Sequence, residues 1–119
     1  MKNMKKWNIL DLVGKYCITM EDGEKVYDLI HPELKAGRPV ELDFGGITIF
    51  AAPFFNAAFG SLLEDLTPDD LNRLLRIVNL ISLEMDALKL VIQDSAQYYG
   101  DSDFRKAVDT VIMKQAEEL

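Results

Sequence analysis

One cysteine, Cys17, rules out an internal disulfide and a thiolate metal cluster, and fits a reducing, cytoplasmic setting. One histidine, His31, leaves no histidine-pair metal site and no carboxylate–histidine dyad with a second relay. Positive charge is scarce as well. Thirteen Lys and Arg face twenty Asp and Glu, a net charge of −7 with a pI near 4.6. Such a chain repels a phosphate backbone, so no nucleic-acid partner is expected, and the lysines gather only at Lys2, Lys5 and Lys6. No apolar run approaches the roughly 20 residues of a membrane helix. The stretch 47–59 comes nearest, but it contains Pro53 and Asn56. Behind the first lysines "WNILDLVGKY" is broken by Asn8, Asp11 and Lys15, so neither a signal peptide nor a membrane segment is expected.

What is present is the balance of a globular domain: 49% hydrophobic and 28% charged residues in 119, enough for one core and short for two. "WNILDLVG" and "YCIT" read as two strands joined at Gly14-Lys15. Val26, Ile30 and Leu34 recur four apart with Leu29 beside them, one face of a helix over 22–36 that ends at Gly37 and that Pro32 should kink or split. In "VELDF", Val40, Leu42 and Phe44 alternate with Glu41 and Asp43, the period of a strand, which is expected to be central. "ITIF" follows as a second extended segment after Gly45-Gly46. From Pro53 the period lengthens to that of a helix over 54–66. Thr67-Pro68-Asp69-Asp70 starts a further short helix, "LRIVNLI" is a strand, Ser82 caps a helix over 83–99, and a last helix spans 103–117. Alternating strands and helices make an α/β or α+β domain.

The chemistry candidates are few. Asp43-Phe44-Gly45 spells the metal-binding signature of protein kinases, but the chain has neither their glycine-rich nucleotide loop nor their catalytic loop. His31 reads as a surface residue and Cys17 as a small buried hydrophobe. Asp69, Asp70, Asp101 and Asp103 fall at helix starts, where capping accounts for them. Phe50, Phe54, Phe55 and Phe59 are core residues or the walls of a ligand pocket. No catalytic, cofactor or metal residue emerges, and no enzyme is expected.

The stretch "VELDFGGITIFAAPFFNAAFGSLLEDL" resembles the STAS domain (sulphate transporter and anti-sigma factor antagonist), and more closely a bacterial STAS-like family. That family has a strand reading roughly V-x-L-D-F-x-G-V, here Val40 to Ile47. A loop then leads to F-x-N/D-A-x-x-G-x-L, here Phe54 to Leu62. The similarity runs over about residues 8–99, with 103–117 as an additional C-terminal helix of a single domain, 1–119. The resemblance implies a central mixed β-sheet with helices mainly on one side. It implies a non-catalytic, cytoplasmic signalling module that binds a protein: a histidine-kinase-like ATPase or an anti-sigma factor. In anti-sigma antagonists that ATPase phosphorylates a Ser or Thr in the loop entering the helix, and the added charge abolishes binding. Here Ala51-Ala52-Pro53-Phe54 align with the Asp-Ser-Ser-Gly of the antagonists, and Thr48 and Ser61 are the nearest hydroxyls, off the acceptor position.

Two functions therefore stand. In the first, a protein partner docks on Gly45, Gly46, Thr48, Ala51, Ala52, Pro53, Phe54 and Asn56. In the second, a small ligand sits among Phe50, Phe54, Phe55 and Phe59. The first requires exposed apolar residues near 51–56, the second an enclosed concavity. Self-association stays open in both.

Overall fold

The computed structural model describes residues 4–100. Strand β1 (Lys5–Asn8) leads into the one-turn helix α1 (Ile9–Val13), then β2 (Tyr16–Cys17) and the long helix α2 (Met20–Lys35). Strands β3 (Val40–Asp43) and β4 (Ile49–Phe50) precede α3 (Ala52–Ala58) and a 3-10 helix (Gly60–Glu64). Helix α4 (Pro68–Leu74), strand β5 (Leu75–Val78) and helix α5 (Ser82–Gly100) complete the order.

β3 is the central strand of a three-stranded sheet ordered β1-β3-β5, while β2 and β4 form a separate two-stranded ladder. Every described strand pair is parallel, where a mixed sheet was expected. The chain crosses back through a helix between neighbours, α2 from β1 to β3 and α4 from β3 to β5, so each strand is re-entered in the same direction. β3 alternates as its sequence dictates: Val40, Leu42 and Phe44 are buried, and Glu41 and Asp43 half-buried on the other face. Across the sheet Trp7, Leu42 and Ile77 stand in one row, and Lys6, Glu41 and Arg76 in the next.

The expected first hairpin is absent. The strand in "WNILDLVG" ends at Asn8, whose side chain accepts a hydrogen bond from the Asp11 amide at 3.2 Å and caps α1. β1 then pairs with β3 and β2 with β4, rather than with each other. Ile9 faces the core from α1, fully buried.

α2 is capped by Thr19 and buries Gly23, Val26, Ile30 and Leu34, the four-residue spacing carried one turn further back than the apolar side chains show. It runs through Pro32, which is exposed, and ends one turn later, so the missing donor falls where the helix is already closing. The helix expected over 54–66 is two pieces. α3 stops at Ala58, and the chain tightens into the 3-10 helix at Gly60. A side chain at Gly60 would meet Ser95 Oγ of α5 at 2.7 Å, so glycine permits the close approach and weakens the α-helix there. Thr67 and Asp70 form a reciprocal capping box for α4, each side chain bonded to the other's amide at 3.0–3.1 Å. Ser82, expected as a cap, is the first residue of α5. The helix expected over 103–117 lies outside the described residues.

The helices form the layer over the apolar face of β3. Phe54, Phe55 and Ala58 of α3, Leu62 and Leu63 after it, Leu71 and Leu74 of α4 and Leu88 of α5 join that core. His31, expected as a surface residue, is partly covered. Its Nε2 lies 2.9 Å from Asp65 Oδ2 and its ring stacks on Tyr27 at 4.8 Å, fastening α2 to the end of the 3-10 helix. Cys17 is fully buried, and burial, then the nearby Asp22 carboxylate, push its thiol up to about 12.

Two measurements test this packing. Cys17 should resist alkylation at pH 8 in the native protein and react once denatured, because neither access nor thiolate is available in the fold. Alkylation at the rate of a free thiol peptide would contradict that. At Gly23, an added Cβ would lie 2.6 Å from the Phe54 carbonyl oxygen and 2.8 Å from Ala57 Cβ. Gly23→Ala should cost roughly 1–3 kcal/mol in urea unfolding despite alanine's better helix propensity. A neutral or stabilising result would mean that α2 and α3 do not cross this closely.

Candidate functional site

The residues expected to bind a partner lie together beyond the C-terminal ends of the parallel strands, where ligands and partners of open α/β sheets commonly sit. The backbone there is built from a few fixed points. Asp43 ends β3, and its Oδ1 accepts hydrogen bonds from the Gly45 amide at 2.8 Å and from Asn79 Nδ2 at 2.9 Å. Asn79 follows β5 and holds φ at +60°, the one described non-glycine residue in the left-handed region and a conformation that asparagine tolerates. The Asp43 carboxylate thus ties the ends of β3 and β5. Those hydrogen bonds, from Asn79 first and Gly45 second, hold its pKa below the ordinary carboxylate value.

Gly46 takes φ +85°, and a side chain there would reach Leu10 Cδ2 at 3.0 Å. Glycine is needed twice over, for its dihedral and for its lack of a Cβ. The turn closes when the Ile47 amide donates to the Phe44 carbonyl at 3.2 Å. The chain then joins the small ladder, with the Thr48 amide donating to Lys15 O at 3.0 Å and the Ala51 amide to Cys17 O at 2.9 Å. Ala51 precedes α3 in extended conformation, without a side-chain cap, and Pro53 lies in the helix's first turn.

Gly46, Thr48, Ala52, Pro53 and Asn56 are exposed, and Gly45 and Ala51 half-buried. Phe54 departs from the expected set. It is fully buried, because α3 turns it with Phe55 and Ala58 toward the sheet, so its side chain has no surface to offer. Thr48 lies just before β4 rather than within a strand, and Ser61 sits in the 3-10 helix with its Oγ 3.5 Å from the Asn56 carbonyl oxygen. Around these residues the surface is apolar. Tyr16, Ile18, Met20 and Ile49 are all exposed, and Tyr16 and Ile49 stand side by side in the β2–β4 ladder.

The phenylalanines set out as pocket walls are mostly core. Phe54, Phe55 and Phe59 are buried and pack ring against ring, Phe55 on Phe59 at 6.2 Å and on Phe54 at 5.9 Å. Phe50 stacks on Phe55 at 5.6 Å. The concavity beside them is a cleft of about 220 Å³ between Phe50, Ala51, Ala52 and Phe55 on one side and Glu84, Ala87, Leu90 and Val91 of α5 on the other. Phe54 and Phe59 do not line it.

Sequence reasoning missed Asn79, Leu10 and the α5 wall of this cleft. An asparagine directly after a strand was the one readable signal for Asn79, since that residue type favours left-handed turns. Nothing local marks Leu10 or Leu90, whose roles arise from distant packing. Among the described residues, no group of three His, Cys, Asp or Glu could hold a metal ion, and no helix is long and apolar enough to cross a membrane.

Residues 22–82 match the STAS-like domain of unknown function (DUF4325). The chain belongs to this family. The match takes in most of α2, then β3, the loop, α3, α4 and β5, while α1, β2 and nearly all of α5 lie outside it. No curated protein and no solved structure matches the chain.

The clamp makes a pH-dependent prediction for this STAS-like domain. A carboxyl whose pKa is lowered by folding stabilises the fold fully above its unfolded pKa, and that contribution disappears as pH falls through the folded pKa. Carboxyl-carbon NMR should find Asp43 titrating below an ordinary aspartate, and Asn79→Ala should move it back up. The stability gap between wild type and Asn79→Ala should shrink as acid protonates Asp43. A gap that is constant down to pH 2 would show that Asn79 acts through its backbone alone.

Proposed function

We propose that this STAS-like domain is a non-catalytic regulatory module that binds a protein partner through the loop from Gly45 to Asn56. The exposed strip Gly46, Thr48, Ile49, Ala52 and Pro53 carries this reading. It is small and largely apolar, held by the hydrogen bonds to Asp43, and joined to exposed Tyr16 through the Tyr16–Ile49 pair. Exposed contiguous apolar surface marks interaction sites. A partner of matching chemistry presents its own apolar ridge and forms few hydrogen bonds with side chains here. By its resemblance to anti-sigma antagonists, that partner is a histidine-kinase-like ATPase or an anti-sigma factor in the cytoplasm.

The small-ligand reading has less support. The cleft at Phe50 and Phe55 is about 220 Å³, under the roughly 300 Å³ at which ligand pockets begin, and the other two phenylalanines are spent on core packing.

The loop also lacks the feature by which antagonists are switched off. Ala51, Ala52 and Pro53 offer no hydroxyl at the aligned acceptor position. The module should accordingly bind its ATPase constitutively, and incubation with that ATPase and ATP should leave its mass unchanged. Ala52→Glu should weaken the complex by about 1–3 kcal/mol, the cost of burying an unpaired charge. Pro53→Ser should restore an acceptor hydroxyl at little cost, since serine also suits a helix start. A phosphate found on wild-type Thr48 or Ser61 would show that the acceptor has moved, and constitutive binding would be abandoned.

A further inference from the structure

A second surface, separate from the loop, lies along the outer edge of β5. Among the described residues β5 pairs only with β3. The Val78 carbonyl faces inward and accepts from the Phe44 amide at 3.0 Å, so by alternation the N–H and C=O of Ile77 point outward. The two edges of the sheet differ. β1 carries exposed Lys5 and Lys6, the kind of charge that discourages strand addition, whereas β5 reads Leu-Arg-Ile-Val. Beside β5, on the helical face of the sheet, an apolar cleft of about 290 Å³ opens between α4 and α5. Leu71, Leu75, Ile77, Met85 and Ile92 line it, with Lys89 at its rim.

The polar face specifies the charge of what would fit. Lys6, Glu41 and Arg76 occupy one row across β1, β3 and β5, and Arg76 Nε lies 3.4 Å from Glu41 Oε1. The row therefore alternates in sign and ends on a cation whose side chain is 68% exposed. A strand added outside β5 continues the alternation if it places a carboxylate opposite Arg76, and its neighbours then turn toward the cleft. We infer that the β5 edge is a docking site for an extended segment of a partner protein reading apolar–acidic–apolar, which adds a fourth strand to the sheet. A second copy of this chain is the poorer occupant. β5 contains no acid to offer Arg76, and two chains of net charge −7 repel.

The test uses two synthetic nonapeptides with Val-Glu-Val or Val-Lys-Val at the centre, titrated into the 15N-labelled full chain. The glutamate peptide should shift the Ile77 amide, leave the amides of 46–52 unmoved, and bind at least about fivefold more tightly than the lysine peptide, an advantage that salt reduces. Arg76→Glu, at an exposed position and checked for an unchanged spectrum elsewhere, should reverse the order of the two peptides. No shift at Ile77 up to the solubility limit of the glutamate peptide, equal binding of both peptides, or an order that survives Arg76→Glu would each overturn the inference. So would concentration-dependent self-pairing through β5, which would make the second copy the true occupant. Because the loop is untouched in every arm, failure here leaves the loop-docking reading standing.

Discussion

One face of the sheet is dry and the other wet, and most of the molecule follows from that division. Parallel sheets usually have helices on both faces. Here Val40, Leu42 and Phe44 are buried beneath the helices, while Lys6, Glu41 and Arg76 keep the opposite face polar. With one face covered among the described residues, every helix has to compete for room above three short strands. The crossing of α2 and α3 at Gly23 is the solution, since a side chain there would collide with the α3 backbone. Bringing the two helices together lets Val26, Ile30, Phe54 and Ala58 share one core. Fully burying a side chain of this size contributes about 1.5–3 kcal/mol, so the shared core far outweighs the surface ion pairs, each worth about 1 kcal/mol or less.

The parts legible in the sequence are those whose signal is local and periodic. Val40, Leu42 and Phe44 announced a strand with one buried face, and Val26, Ile30 and Leu34 a helix with one buried stripe. Thr67 and Asp70 announced a helix start. The errors share a physical origin in tertiary context. "WNILDLVG" is apolar enough for a strand, but Asn8 caps a helix as soon as β1 has paired with β3. Phe54 was expected among the docking residues, yet it lies in α3, whose turn sends it inward. Whether a strand pairs with its sequence neighbour or with a distant partner is not written in its own residues, so the parallel order also went unread.

The tripeptide Asp43-Phe44-Gly45 shows how a functional spelling is absorbed by architecture. Phe44 is core, Gly45 supplies an amide to the carboxylate, and Asp43 spends its oxygen on Gly45 and on Asn79 thirty-six positions away. The acid is therefore a brace. It joins the ends of two parallel strands at the place where an open sheet would otherwise fray, and it sets the platform from which the chain climbs through Gly46 to Pro53. A loop so held keeps little backbone conformational freedom to lose, which suits the docking role proposed for it.

The two proposed surfaces, which share one sheet, differ in their physics. The loop at the strand ends is small and apolar, so its binding draws on buried area and responds little to salt. The β5 edge offers main-chain hydrogen bonds and an alternating charge row, so its binding is directional and weakens as salt is added. In the proposed reading, their separation means that each can be occupied without the other. A strand added at β5 would bond to the outward groups of Ile77, while the hydrogen bonds that hold the loop, from Gly45 and Asn79 to Asp43, lie at the strand ends and stay in place.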